Sequence, residues 1–74
     1  MSELDQYLQD SNLVVVRSDQ RLRLVQLKNM KLVEIQIIDD SHYSIQEITN
    51  SVRGEGRWDI SLENVIHQID YLES

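Results

Sequence analysis

The sequence predicts an α+β fold: a short N-terminal helix, a three-stranded antiparallel meander, and two C-terminal helices packed on one sheet face. Three observations point to it. Apolar residues gather in strand-length runs at 13–16, 22–27 and 32–38, rich in the branched residues that suit a pleated surface. Turn-forming residues, Ser18-Asp19 and Asn29-Met30, separate those runs. The C-terminal stretch changes period: Leu62, Val65, Ile66, Ile69 and Leu72 recur at helical spacing behind Ser61.

At the N-terminus, Ser2 is expected to cap a helix reaching about Asp10, with Glu3 and Asp5 in its first turn, where the helix dipole favours negative charge. Leu4, Tyr7 and Leu8 share one side. So short a helix is unstable alone and must dock. A two-residue loop at Asn29-Met30 would pair Leu27 with Leu32, Gln26 with Val33, Leu24 with Ile35 and Leu22 with Ile37; a turn at Ser18-Asp19 would pair Val15 with Leu22. Alternation then collects Leu13, Val15, Leu22, Leu24, Gln26, Val33, Ile35 and Ile37 on the inner face. The outer face would carry Val14, Val16, Arg21, Arg23, Val25, Leu27, Leu32, Glu34 and Gln36. A surface so apolar calls for a cover, either the N-terminal helix or a second copy of the chain.

Beyond the polar turn at 39–42, Ser44 and Glu47 fit a capping box, and Ile45, Ile48 and Val52 predict a helix over 45–53 closed by Gly54. The rival is a fourth strand from Tyr43 to Ile48. Residues 53–58 hold both glycines between Arg53 and Arg57, followed by the lone Trp58. This reads as a connector or a recognition loop with aromatic and arginine anchors. Ser61 caps the last helix, with Ile60 stapled to Val65.

Residues 1–74 make a single small domain. Without cysteine there is no disulfide or thiolate metal site. No apolar run is long enough to span a bilayer, and the acidic start lacks an apolar signal core, so a cytoplasmic setting is expected. The net charge of −6 disfavours non-specific nucleic-acid binding. Five of the seven basic residues nevertheless cluster at Arg17, Arg21, Arg23, Lys28 and Lys31.

The search for chemistry finds no nucleophile–base pattern, no phosphate loop and no cofactor motif. His42 beside Asp39 and Asp40 has too few companions for a metal site. Neither catalytic residues, metal nor cofactor are therefore expected. The order helix, three strands, helix resembles the double-stranded RNA-binding domain, whose second helix opens on lysines. Here that start is Ser44-Ile45-Gln46-Glu47, so the phosphate-binding role has no carrier. Ser44 to Ile48 followed by Ser61 to Leu72 resembles the paired helices of winged-helix regulators of the ferric-uptake type. The recognition helix that this resemblance implies carries Glu63 and Asp70 and no Arg or Lys.

The expected function is therefore non-catalytic protein binding, of an inhibitor or immunity type, to a basic partner. Arg53, Arg57, Trp58, Glu63 and Asp70 are the candidate contacts. Self-association as a homodimer is expected through Val14, Val16, Val25, Leu27 and Leu32. The alternative is a winged-helix-like nucleic-acid-binding regulator using Arg17, Arg21, Arg23, Lys28 and Lys31.

Overall fold

The computed structural model describes every residue except Met1 and Ser51, together with all side chains but that of Glu55 among the rest. Helix α1 (Glu3–Asp10) leads into strands β1 (Val14–Asp19), β2 (Leu22–Gln26), β3 (Leu32–Asp39), β4 (His42–Thr49) and β5 (Val52–Ile60), and helix α2 (Leu62–Glu73) ends the chain. The strands form one antiparallel sheet in sequence order, β1 to β5. Both helices lie on the same face, where Leu4 and Leu8 of α1 and Val65, Ile69 and Leu72 of α2 join the core. Both N-caps form as the sequence indicates: Asp5 N–H donates to Ser2 Oγ (3.1 Å) and Asn64 N–H to Ser61 Oγ (3.3 Å).

Two expectations are corrected. The meander has five strands rather than three, and a single C-terminal helix follows it. The stretch predicted as a helix over 45–53 is instead the end of strand β4, a turn residue at Asn50 and the start of β5, with Ser51 outside the described residues. Its strand period prevails because Tyr43 and Ile45 can then join the core beside their partners Ile37 and Ile35. The capping box does not form: Ser44 is buried in the sheet and donates to Gln36 Oε1 on β3 (3.4 Å). Gly54 is no helix cap, and residues 53–58 are an edge strand rather than a loop. At Gly56 a Cβ would sit only 3.1 Å from the Ile45 carbonyl oxygen, so the missing side chain lets β5 draw close to β4.

The second correction is one of register. Leu24 pairs with Glu34 and Val25 with Val33, one residue off the expected alignment. Residues 28–30 form a three-residue loop, with Leu27 N–H donating to the Lys31 carbonyl (2.7 Å) and Met30 at φ 75°. A turn followed by one left-handed residue is the usual three-residue hairpin. An odd loop in place of an even one turns β2 over. Val25 and Leu27, expected outside, are core residues at 0% and 2% exposure. Leu22 and Leu24, expected inside, lie on the outer face, half-buried. The first hairpin also moves, to Gln20-Arg21, with Asp19 opposite Leu22 and a bulge between Val15 and Arg17. Val15 stays on the inner face, but opposite Val25 rather than Leu22.

Substitution separates the two registers. Leu27→Ala should cost about 2–5 kcal/mol, and Leu24→Ala less than half of that, because only the first opens a cavity in the core. Urea denaturation of the two variants measures both; equal losses would contradict the observed pairing.

Candidate functional site

The two layers differ in charge. Helices α1 and α2 contain six carboxylates, Glu3, Asp5, Asp10, Glu63, Asp70 and Glu73, and no Lys or Arg. All seven Lys and Arg lie in the strands and their turns, together with the other seven carboxylates. The formal charge of −6 therefore resides on the helical layer, over an electrically balanced sheet.

Within that layer only Asp5 is ion-paired to an arginine among the described residues. Arg23 Nε donates to Asp5 Oδ1 (2.9 Å) and Nη2 to Oδ2 (3.2 Å), a two-point fork from β2 to α1. The same guanidinium donates to the carbonyls of Asp19 and Leu22. The hydrogen bond from Arg23 holds the Asp5 carboxyl below its ordinary 3.8, against an opposing push from partial burial. Tyr7 sits between the helices; burial raises its hydroxyl pKa, and the charges of Asp70 and Glu73 raise it further.

The five basic residues singled out from the sequence are not brought together. Arg23 is turned toward α1, with its side chain only 13% exposed. Arg21 lies at the β1–β2 turn and donates to the Ile38 carbonyl (2.9 Å). Lys28 and Lys31 flank the β2–β3 loop at the opposite end of β2, and Lys31 Nζ lies 3.8 Å from Glu47. Arg17 stands alone on β1, opposite Leu24. With 44–49 in a strand, the paired helices of a winged-helix arrangement are also absent.

The expected self-association surface is likewise not assembled. Val25 and Leu27 belong to the core, leaving Val14, Val16 and Leu32. Across the outer face one row reads Val14, Gln26, Leu32, Ile48 and Arg53; the next contains Arg17, Leu24, Glu34 and Gln46. Gln26 thus separates Val14 from Leu32, Leu32 beside Ile48 is the one apolar pair in these two rows, and Arg53 bridges Glu34 (2.8 Å) and Gln46 (3.0 Å). Alternation of this kind suits water.

Of the other expected contacts, Arg53 is engaged as described, while Trp58 is 63% exposed on β5. Glu63 and Asp70 are exposed on α2. Arg57 lies apart from Arg53, in a groove of about 400 Å³ between β5 and α2, lined also by Ile60, Asn64, His67, Gln68 and Tyr71. The sequence marked Arg57 as an anchor but did not join it to His67 and Gln68, because β5 was not recognised as a strand. The signal was the period of Tyr43 and Ile45, which needs a neighbour beyond β4.

His42 Nδ1 lies 2.8 Å from Asp39 Oδ1, and Ser41 Oγ approaches the same ring nitrogen at 3.5 Å. A proton relay needs the carboxylate and the hydroxyl on opposite nitrogens, so this turn is not a nucleophile–base triad. Among the described residues no group of three or more His, Asp or Glu side chains is placed to hold a metal. No helix of the described residues is long and apolar enough to cross a membrane.

Two titrations check these pairs. The hydrogen bond to Asp39, its charge, and to a lesser degree Asp59 raise the His42 pKa above 6.5. NMR titration of the ring should show that raised midpoint, and Asp39→Asn should return it toward 6.5. For Asp5 the folded pKa is depressed, so its stabilisation is complete above 3.8 and is lost as pH falls through the folded value. Asp5→Asn should flatten that part of the acid-unfolding curve. Compared with known protein families, curated proteins and solved structures, the chain shows no match.

Proposed function

We propose that this protein is a non-catalytic binding module, of regulatory or inhibitor type and cytoplasmic, whose helical layer docks a basic protein partner. The observation that carries the reading is the segregation of charge: the helices hold the entire net charge, and among the described residues Asp5 alone of their carboxylates is matched by an arginine. A single-sign surface on a small rigid layer attracts an oppositely charged partner at long range and rejects a like one. The same charge argues against nucleic acid on this layer, and the scattered basic residues give no continuous track for phosphates on the sheet. It also opposes meeting of two copies through their helices.

The reading is tested by capture from the native host on immobilised protein, wild type against a Glu63→Lys/Asp70→Lys double variant. Both positions are exposed, so circular dichroism should be unchanged. The expected result is a basic partner that binds wild type, is released by salt, and binds the variant about tenfold or more weakly. Equal recovery on both proteins, or no partner at all, would overturn it.

A further inference from the structure

We infer that an extended peptide bearing a carboxylate adds to the free edge of β5 as a sixth strand, with the carboxylate held by Arg57 in the groove beside α2. The inference does not rest on the docking of a basic partner on the helices; it concerns a different surface and the opposite charge. β5 ends the sheet, so one side of its backbone has no strand partner among the described residues. Such an edge is a template for another strand. Peptides that use one draw affinity from main-chain hydrogen bonds and specificity from alternate side chains entering pockets.

The pocket lies directly alongside this edge. Its wall on one side is β5, through Arg57 and Ile60, and on the other α2, through Asn64, His67, Gln68 and Tyr71. Its size, about 400 Å³, is at the small end of ligand sites and suits one or two side chains of a strand. Arg57 makes no ion pair or side-chain hydrogen bond with any described residue, whereas Arg23 and Arg53 are both spent on carboxylates. A guanidinium without a described partner in a groove matches a carboxylate with two parallel hydrogen bonds. The acidic helices alongside disfavour a doubly charged phosphate relative to a singly charged carboxylate.

Trp58 supplies the other half. Arg57, opposite Ile45, flanks the edge on the inner face, and Trp58, 63% exposed, follows it in the irregular stretch before Ile60. An added strand would place side chains against each. Pairing irregularities bracket Gly56 and Arg57, between Tyr43 and Ile45 and between Gln46 and Ile48. The accepting stretch is therefore short, and the groove carries much of the selection.

The probe is a random library of short peptides displayed on phage, selected on the intact protein. Selected sequences should be β-branched, free of proline at the centre, and carry Asp or Glu at one register position or end in a free carboxylate; amidated and unamidated synthetic copies tell these two apart. On titration, amide shifts should concentrate in β5 and along Asn64 to Tyr71, and β5 amides should exchange more slowly. Arg57→Gln, exposed and outside the core, should weaken binding about tenfold without changing the thermal melt, whereas Val14→Lys at the other edge should leave it unaltered. The inference is overturned by a failure to select any peptide, by selection without acidic preference, by shifts confined to the helices or β1, by Arg57→Gln binding like wild type, or by tighter binding of phosphoserine than glutamate.

Discussion

The structure depends on the parity of pairing between β2 and β3. The loop at 28–30 is tied to α2 at the far end of the chain: Asn29 Nδ2 donates to the Leu72 carbonyl (2.8 Å) and Lys28 N–H to Glu73 Oε2 (3.0 Å). The first satisfies a terminal carbonyl of a helix with no basic residue in its last turn, and the second holds the Glu73 side chain. With the loop held there, Val25 and Leu27 face the helices beside Val33 and Ile35, and Arg23 comes up under Asp5. A shift by one residue would bury Gln26 instead of Val25 and withdraw the guanidinium from α1.

Placing both helices on one face leaves a sheet that is dry on one side only. The outer face answers with polar side chains on each central strand, Gln26, Glu34, Gln36 and Gln46, and the Arg53–Glu34 bridge tying β5 back to β3. The sheet has two edges, and they are treated differently. Both are irregular in pairing, but β1 carries exposed valines, while β5 carries two glycines, an arginine on each face and a groove formed with α2.

Charge follows the same division. A helical layer without Lys or Arg repels itself, a cost that the fold offsets at few points: the Asp5–Arg23 fork and the donors of Lys28 and Asn29. Such an uncompensated layer, on a small domain with little core to spare, is the physical basis of the proposed binding role.

The sequence by itself determined both helices, their serine caps, the membership of Leu13, Val33 and Ile35 in the core, and the acidity of the helical layer. These are local properties: a cap spans one turn, a period is visible within a dozen residues, and charge does not depend on pairing. It also singled out Arg57 and Trp58. Tertiary structure alone decided the rest. Nothing at Lys28-Asn29-Met30 marks a loop of three rather than two residues, since Met30 takes a left-handed conformation that its side chain does not favour, held there by a loop fastened to α2. That choice moved Val25 and Leu27 inside. Ile45, Ile48 and Val52 satisfied a helical period as well as Tyr43 and Ile45 satisfied an extended one. What broke the tie was the unpaired edge of β3, whose backbone groups needed a partner more than the helix needed a cap.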